Sequence, residues 1–548
     1  MATGLPDSLE RLAPADLIGV VRDLIGEVGR LRAENEKLGG ALAKLKIEHQ
    51  AVKDELARLK KLPPRPPHKP SGMDEATDRG GSGGGGNKGA AGEKSRRHRG
   101  SQLDKLTIGA TVVVRAKAPA GSRHKGYEEI VVQDLSLSPQ VTRYRRERWE
   151  TPQGDRIIAA LDPGIVGGYG PNLHRLVLAL HFSGQVTCER IVALLNGMGV
   201  LISKRQVVRL LTVKLETFRA EDEAVLKAGL GGAYVTVDDT GARHAGRSGY
   251  TTQIGCDTFT VFRTGPSKSR QAFLSRLCGG TAFYVINDAA LGYMKERQLP
   301  QIVIDKLADH PQRMFARTAD WERHLQGLGL ADLKVAPDPV QIASEGALWG
   351  AIRHQGLLPD TVIVSDDAGQ FRVGVHALCW VHAERLVHKL VPANDKQRNA
   401  IAIAKRMIWW FYGCLKEYKL APSPQQAEVL RTRFDRIFKR GGTGYVMLDR
   451  LLKRLFRNKD ALLRVLDRPE IPLNTNASEN DIRAFVTKRK ISGGTVSDNG
   501  RDARDIMIGL AKTCMKLKLS FYEFIGSRLG LAAIPIPPLA ELIRPTPS

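Results

Sequence analysis

The stretch Val362-Ile-Val-Ser-Asp-Asp-Ala-Gly-Gln-Phe371 decides how the rest of the chain is organised. Its first residues are β-branched and uncharged, which predicts a buried strand, and the strand ends on two carboxylates and a glycine turn. Carboxylates at the tip of a buried strand are positioned to hold a metal ion. Mg²⁺ prefers oxygen ligands and usually takes only one or two carboxylates from the protein. We therefore expect Asp366 to have partners from elsewhere in the chain.

The size and charge of the chain set its broad class. It has 548 residues, enough for several domains, and its 83 Lys and Arg against 58 Asp and Glu give a formal charge of +25. So large a basic excess favours a polyanionic partner, with nucleic acid as the first candidate. The sequence has neither a long apolar run nor a signal segment, so we expect a cytoplasmic protein without a membrane partner. Its scattered cysteines predict reduced thiols rather than disulfides.

The N-terminal segment carries a heptad pattern. Leucine and valine fill both core positions from Leu17 to Leu59, with Asn35 as a polar core residue. This pattern predicts a parallel coiled coil over residues 1–62, and hence a homodimer or higher oligomer. One long helix packed on its own globular domain is the alternative. Residues 63–104 are rich first in proline and then in glycine, and predict a disordered basic linker.

The next two segments predict a change from strands to helices. Residues 105–161 alternate β-branched runs with turn residues and predict a small antiparallel β unit. Residues 162–228 have helical periodicity, and Ser203 is a plausible N-cap for the second helix of a helix-turn-helix-like pair. Many such pairs never touch DNA, so a structural role stays open beside DNA recognition. The candidate DNA contacts on the first turns of that helix are Lys204, Arg205 and Arg209.

A second strand that ends on paired aspartates precedes the first one. It is Ala233-Tyr-Val-Thr-Val-Asp-Asp-Thr240, and two further strands and a helix over 270–277 follow it. This order resembles the opening of the ribonuclease H-like fold, in which carboxylates from adjacent strands share two Mg²⁺ and a later helix adds a third ligand. The segment Asn474-Thr-Asn-Ala-Ser-Glu-Asn-Asp-Ile-Arg483 suits that helix. It places Glu479 in the first turn, with Arg483 four residues further along the same face.

Three groups of motifs stand out in the sequence. They are Val237-Asp-Asp-Thr-Gly-Ala-Arg243, Ser365-Asp-Asp-Ala-Gly-Gln-Phe371 with Cys379-Trp-Val-His-Ala-Glu-Arg385, and the segment 474–483 with Lys488-Arg-Lys490 and Ser497-Asp-Asn-Gly-Arg501. These motifs resemble those of the insertion-sequence-sixty-six family of bacterial transposases, and the resemblance spans residues 160–530. It implies that Asp238, Asp366 and Glu479 form a DDE triad that binds two Mg²⁺, for which Mn²⁺ can substitute.

The resemblance also implies an activity. A transposase of this kind cleaves DNA strands and transfers them by in-line attack on phosphodiesters, with the ends of the element and a target DNA as partners. Small accessory proteins of the same element are further partners that the family implies. Two alternatives stay open: a transposase-derived dimeric DNA-binding protein, and a nuclease of the same fold that only hydrolyses. The candidate phosphate contacts, for which ordinary surface charge is the alternative, are Arg483, Lys488, Arg489, Lys490 and Arg501.

The sequence departs from the family pattern at three places. Asp239 stands where the family has glutamate, so the choice between Asp238 and Asp239 as ligand stays open. Residues 100–160 contain no cysteine, so we expect no zinc site there. The segment 279–359 is longer than the family pattern and contains another strand that ends on an aspartate. That residue, Asp288, is the reserve candidate for the second ligand.

Together these segments predict a multidomain α+β protein. The ribonuclease H-like α/β catalytic core comprises residues 229–385 and 471–548, and a helical insertion over 386–470 interrupts it. The coiled coil, the small β unit and the helix-turn-helix-like helices precede this core. Cys379 and His382 have the spacing of half a zinc site, but no second pair completes it. We interpret them as structural support for the strand that carries Asp366.

Overall fold

The computed structural model describes residues 19, 26–31, 33–35, 107–117, 119, 121–162, 164–279, 283–439 and 441–543. The predicted linker and most of the predicted coiled coil lie outside these residues, although 26–31 and 33–35 are helical. The chain divides into two compact units, Met1–Val132 and Gln133–Ser548. The division falls inside the segment that was predicted to form a small β unit.

That β unit is smaller than predicted. A short antiparallel hairpin joins β1 (Arg148–Glu150) to β2 (Arg156–Ile158). The β-branched runs 111–114 and 129–132 are exposed, and in the described part of the chain they belong to no sheet. Alternation alone does not build a sheet, because each strand also needs a partner for its backbone groups and a surface for its apolar side chains.

A helical region precedes the main sheet, as the periodicity of residues 162–228 predicts. Ser203 caps the third helix through a capping box. Its hydroxyl accepts the Gln206 N–H at 3.3 Å, and the Gln206 side chain accepts the Ser203 N–H at 2.8 Å. The capping prediction is therefore confirmed. The helices are α1 (Pro171–Leu178), which continues as a π-helical turn over Ala179–Ser183, α2 (Cys188–Gly197), α3 (Lys204–Thr212) and α4 (Leu215–Gly229).

An antiparallel meander follows. Its strands are β3 (Tyr234–His244), β4 (Arg247–Gly255) and β5 (Thr260–Gly265). The prediction that β3 ends on its two aspartates is wrong, because a tight turn lets β3 and β4 pair well beyond them. That turn is Ala245-Gly246, and both residues have the positive φ, 47° and 74°, that a two-residue hairpin turn of this kind requires. Helix α5 (Arg270–Leu277) comes next, where it was predicted.

A small subdomain that the sequence did not reveal accounts for the length of the segment after α5. Its two strands pair antiparallel, and Trp321 is buried beside them. The Trp321 indole stacks on the ring of Tyr284 with centroids 5.1 Å apart. The elements of this subdomain are β6 (Tyr284–Val285), α6 (Asp288–Glu296), α7 (Gln301–Ala308), β7 (Met314–Phe315) and α8 (Thr318–Gly327).

The chain then returns to the main sheet. Helix α9 (Pro339–His354) leads into β8 (Val362–Ser365) and β9 (His376–Leu378). Strand β8 pairs in parallel with both β3 and β9, so the order of this mixed sheet is β5-β4-β3-β8-β9. Successive side chains of a strand point to opposite faces. Accordingly Ile363 joins the larger hydrophobic core, whereas Val362 and Val364 join the core of the helices that follow.

Those helices begin at Trp380 and cover most of the segment 386–470 that was predicted as a helical insertion. Trp380, from the Cys-Trp-x-His motif, is 1% exposed, and its indole N–H donates to the Leu462 carbonyl at 2.9 Å. Phe411 and Phe434 pack beside it. Trp380 thereby fastens the insertion to the end of β9. The helices are α10 (Trp380–His388), α11 (Asp395–Leu420), α12 (Pro424–Phe438), α13 (Val446–Arg457) and α14 (Lys459–Leu462).

The C-terminal helices complete the unit. Helix α15 packs on β3, where the Ser478 hydroxyl donates to Thr236 Oγ1 at 2.6 Å. No helix in the described ranges combines the length and the apolar character needed to cross a membrane. The elements are α15 (Asn476–Ser492), α16 (Asp498–Lys516), α17 (Phe521–Arg528) and α18 (Leu539–Ile543).

Candidate active site

Asp238 and Asp366 occupy equivalent positions on neighbouring parallel strands. The pairing of β3 with β8 ends at Thr236 opposite Val364; Asp238 lies two residues further along β3, and Asp366 directly follows the last residue of β8. A step of two residues keeps a side chain on the same face. Burial, and to a smaller extent the charge of Asp366, raise the pKa of Asp238 to about 6. The two carboxylates therefore repel each other when both are ionised, which favours a cation between them.

Asp239 points away from this face and is held by the protein. Its carboxylate accepts hydrogen bonds from Thr252 Oγ1 at 2.5 Å and from Gln370 Nε2 at 3.0 Å. Asp238 instead uses Oδ1 to accept the backbone N–H of Asp239 at 2.7 Å. The geometry thus favours Asp238 over Asp239 as the carboxylate that works with Asp366.

The paired aspartates of the second motif divide in the same way. Asp367 is bound to the helical insertion: it accepts from Arg454 Nε at 2.7 Å and from Asn458 Nδ2 at 3.2 Å, and it forms an ion pair with Arg372. Asp366 accepts the N–H of Ala368 at 3.0 Å. Asp367 thus fixes the loop after β8 against α13, and this loop positions Asp366.

Glu479 lies in the first turn of α15, as predicted, and its carboxylate is paired with Arg385 of α10. Arg385 donates from Nη1 at 2.7 Å and from Nη2 at 3.2 Å. This two-pronged contact is the strong form of an arginine–carboxylate pair. The hydrogen bond from Arg385 lowers the pKa of Glu479. The carboxylate is therefore ionised at neutral pH, as a metal ligand must be.

His382 brings the Cys-Trp-x-His motif to the same place. Its Nε2 lies 3.8 Å from Glu479 Oε1, and together with Asp366 it lines a cavity of about 250 Å³. A hydrogen bond with Cys379 raises the pKa of His382. Burial raises the pKa of Cys379, but the hydrogen bonds with His382 and Thr475 and the charge of His382 together outweigh burial, so the pKa is lowered. The Cys379 N–H donates to the Ser365 carbonyl at 2.9 Å, a contact that fits the predicted support of the Asp366 strand.

The residues of this site meet some of the requirements of a divalent-cation site and not others. Among the residues that the structure describes, no group of three His, Cys, Asp or Glu side chains is arranged to hold a metal ion. Asp238 and Asp366 supply the oxygen donors that Mg²⁺ prefers, and a cation would relieve their repulsion. Glu479 would complete the set if its carboxylate turned from Arg385 toward the two aspartates.

The predicted DNA contacts on α3 are accessible to solvent. Arg205 and Arg209 are exposed, and Arg209 passes close to Gly167. The Lys204 side chain is 63% exposed, and its ammonium is 2.5 Å from the carboxylate of Glu189 on α2. Surface ion pairs of this kind are weak, so the lysine can exchange its partner for a phosphate.

The predicted phosphate contacts near the C-terminus differ in exposure. The side chain of Arg483 is 72% exposed, and Lys490 is also exposed. Arg489 is half-buried. Arg501 is 25% exposed and is already paired with Asp498 at 2.7 Å and with Asp502 at 2.8 Å. Arg483 and Lys490 are thus the most accessible members of the predicted set.

Two candidate residues lie elsewhere than the sequence suggested. Lys488 is 2% exposed, and its ammonium donates to the His181 carbonyl at 2.7 Å, so it faces the protein interior and not a DNA backbone. Burial lowers the pKa of Lys488 to about 8. Asp288 is the first residue of α6, beside the separate β6–β7 sheet. The reserve assignment of Asp288 as second ligand is therefore wrong, since β8 and not β6 lies next to β3.

Arg385 is a residue of the site to which the sequence reasoning assigned no role. It follows His382 by three residues in the quoted motif. Residues three apart on a helix share a face. This spacing in Cys379-Trp-Val-His-Ala-Glu-Arg385 is the signal that could have placed both side chains on one face of α10.

Comparison with known proteins relates the chain to one family. The pattern of the "Transposase IS66 family" matches residues 362–503. The chain is also 54% identical over 320 residues to "Uncharacterized protein y4jO" of Sinorhizobium fredii, an alignment that covers 58% of this chain and 99% of that protein. The matched segment 362–503 begins with β8, includes the whole helical insertion and contains both Asp366 and Glu479.

Proposed function

The chain belongs to the IS66 family of transposases, which indicates a function in transposition, and from this premise we propose that it cuts and joins DNA at phosphodiester bonds. In this proposal Asp238, Asp366 and Glu479 are the metal-binding carboxylates. The observation that carries it is the equivalent position of Asp238 and Asp366 beyond the last paired residues of β3 and β8. Glu479, on a helix that packs against β3, comes to the same edge of the sheet.

The order of the sheet supports a ribonuclease H-like catalytic core. Three antiparallel strands are followed by two parallel ones in the order β5-β4-β3-β8-β9. The carboxylates come from the two central neighbours, β3 and the loop after β8. In an arrangement of this kind the helical insertion between the second and third carboxylates does not interrupt the sheet. The chain departs from the sheet after β9 and comes back to it before α15.

The side chains around the carboxylates have separable roles in this proposal. Two divalent cations, Mg²⁺ or Mn²⁺, would lower the pKa of the attacking water or 3′-hydroxyl and balance the charge on the phosphate. Arg385 is a positioning residue that keeps Glu479 ionised in the metal-free protein and releases the carboxylate when it turns toward the cations. Asp239 fixes the middle of β3 through Thr252, and Asp367 fixes the loop that carries Asp366.

DNA and a second copy of the chain are the proposed partners. The exposed side chains of Arg205, Arg209 and Lys490 are available to phosphates. A basic surface of this kind binds DNA with an affinity that falls steeply with salt. Val28 and Leu31, which occupy core positions of the predicted coiled coil, are 46% and 48% exposed in the single chain. A partner helix would cover them. Accessory proteins of the same element remain proposed partners on the family resemblance alone.

Cleavage and joining of a labelled DNA that carries the element's ends tests the proposal. In Mg²⁺ or Mn²⁺, we expect wild type to give joined products and Glu479→Gln to give none, with DNA binding retained. Asp288→Asn removes an exposed carboxylate from the separate β6–β7 sheet and is the matched control. It should react as wild type does.

Each other outcome selects an alternative. An active Glu479→Gln variant would show that the third ligand is wrongly assigned. Cleaved but unjoined products from wild type would favour the hydrolytic nuclease. Wild type that binds the ends without any reaction would favour the dimeric DNA-binding protein.

A further inference from the structure

A cavity of about 530 Å³ lies between the catalytic core and the helical insertion, and arginines dominate its lining. We call it the arginine pocket. Its charged lining residues are Arg270, Arg297, Asp367, Arg372, Arg454 and Arg457. None of these arginines belongs to the set of DNA contacts that the sequence predicts. The volume is within the range of natural ligand sites, and it admits a phosphate together with the sugar to which it is attached.

The fold collects these arginines from distant parts of the sequence. Arg270 begins α5, Arg297 follows α6, and Arg372 lies in the loop after β8. Arg454 and Arg457 are on the last turn of α13 in the insertion. The pocket therefore exists only when the insertion is docked on the core.

The internal carboxylates neutralise only part of this charge. Asp367 is shared between Arg372 and Arg454. Glu345, which is fully buried, lies 3.3 Å from Arg270. Arg297 and Arg457 have no carboxylate partner among the described residues. Like charges held this close repel one another, so an anion in the pocket would stabilise the docked arrangement.

The hydrogen-bond donors in the pocket are also in excess. A guanidinium group carries five N–H donors in a planar fork that matches the oxygens of a phosphate. Arg270 uses one donor on the Gly369 carbonyl at 2.6 Å and one on Glu345 at 3.3 Å, and Arg297 uses one on the Arg372 carbonyl at 2.5 Å. Arg457 is exposed at the end of its helix. The pocket thus offers a phosphate both positive charge and directed donors.

The arginine pocket adjoins the candidate active site. The 250 Å³ cavity that contains Asp366 and His382 shares three lining residues with it. They are Asp367, Arg454 and Asn458. A strand of DNA carries a phosphate at every nucleotide, so a strand with one phosphate at Asp366 has its next phosphates close by.

We propose that the arginine pocket binds a non-scissile phosphate of the DNA strand whose scissile bond lies at Asp366. The proposal rests on the proposed function for the identity of that strand. By holding a phosphate at a fixed place beside the carboxylates, the pocket sets where along the strand the cut falls. It also couples DNA binding to docking of the insertion, because the walls of the pocket come from both parts.

Binding of an end-bearing duplex to the full-length protein in EDTA tests the pocket without any cleavage. Arg457→Gln and Arg297→Gln should each weaken binding about tenfold and reduce the slope of log affinity against log salt by about one. Arg436→Gln removes an exposed arginine from α12, away from the pocket, and is the matched control. It should leave both quantities near the wild-type values. Normal thermal unfolding of each variant establishes that it is folded.

A neutral phosphate identifies the contact. One methylphosphonate, placed in turn at positions near the scissile bond, should weaken binding by wild type at one or two positions. At those positions it should have a smaller effect on Arg457→Gln, since one of the arginines that the phosphate meets is already gone. Equal effects on both proteins at every position would overturn the proposal.

Two further results keep this proposal separate from the proposed function. If sodium pyrophosphate raises the Tm of wild type but not of Arg457→Gln, while DNA binding is the same for both, the pocket takes a free phosphate ligand and the strand assignment is overturned. If the arginine variants lose affinity in EDTA as expected but wild type never cleaves DNA in Mg²⁺, the phosphate site stands and the catalytic proposal fails.

Discussion

Replacing Asp238 by asparagine should stabilise the protein in the absence of divalent cations while it removes cleavage. Burial and the neighbouring Asp366 raise the pKa of Asp238 to about 6 from an ordinary value of 3.8. At neutral pH the folded protein must therefore ionise this carboxyl where charge is disfavoured. Asparagine keeps an oxygen to accept the Asp239 N–H, a bond of 2.7 Å, and carries no charge.

The magnitude follows from the pKa. A rise from 3.8 to about 6 corresponds to about 3 kcal/mol at neutral pH, at about 1.4 kcal/mol per unit. Because Asp238 is partly exposed, solvent screens some of this, and we expect about 1–2 kcal/mol. A raised carboxyl pKa means that the folded protein binds more protons than the unfolded chain between about pH 4 and pH 6. In EDTA, this carboxyl therefore lowers the stability of wild type as the pH rises through that interval, and Asp238→Asn lacks this loss.

Asp239→Asn is the matched control for this experiment. It leaves the repelling pair intact and disturbs the hydrogen bonds from Thr252 and Gln370, so it should destabilise by about 1–2 kcal/mol. Thermal unfolding of the full chain in EDTA compares both variants with wild type, and only the direction of the change in Tm is used because the chain has two compact units. Excess Mg²⁺ should then raise the Tm of wild type more than that of Asp238→Asn.

The reasoning would be refuted by a specific result. If Asp238→Asn were as destabilised in EDTA as Asp239→Asn between pH 6 and pH 8, ionised Asp238 would not be in conflict with Asp366. If Mg²⁺ also raised the Tm of wild type and of Asp238→Asn equally, Asp238 would not belong to a cation-binding pair.

Three further predictions concern stability. Trp380→Leu should lower the free energy of unfolding by about 3 kcal/mol, since it opens a cavity and leaves the Leu462 carbonyl unpaired. Limited proteolysis should then cut the insertion sooner than in wild type. Trp410→Leu changes a side chain that is 53% exposed and should match wild type. Lys488→Met should raise the free energy of unfolding by about 1–2 kcal/mol at pH 7, because burial lowers the pKa of Lys488 to about 8. Measured by urea unfolding, this gain in stability should shrink as the pH rises from 8 toward 10, where the folded protein no longer carries the buried charge. A gain that stays constant over this range would contradict the prediction. Burial lowers the pKa of His376 to about 4, so the Tm of wild type should fall as the pH drops from 6.5 to 4. The Tm of His376→Asn should fall less over the same range. Parallel curves of Tm against pH for the two proteins would contradict the assignment.

Some parts of the fold follow from local sequence. Ser203 caps α3 because a serine side chain can reach the N–H of the residue three positions later. The helix over 270–277 and the place of Glu479 in the first turn of α15 were both predicted from the sequence. The strand at β8 was predicted from its β-branched, uncharged run. These features depend on residues that are only a few positions apart in the chain, and such neighbours can be identified directly from the sequence.

Other parts depend on long-range packing. The sequence identified two pairs of adjacent aspartates, but the face that each aspartate uses is fixed by the contacts of β3 with α15 and of β8 with the insertion. In the sequence, the strand predicted before Asp288 is as good as the one predicted before Asp366. In the structure, however, the strand before Asp288 pairs with β7 and not with β3. The sequence indicates that Lys488 is a surface charge, but the packing of α15 buries its side chain against His181.

The sequence by itself thus determined the family and the helix that carries Glu479, and it supplied the candidate carboxylates, because these are motifs of contiguous residues. Only the tertiary structure decided that Asp238 and not Asp239 faces Asp366, that Arg385 holds Glu479, and that a cluster of arginines lies next to them. The physical reason is that burial and charge at a site are set by side chains brought together across the fold. No local pattern in the chain encodes which of them will meet.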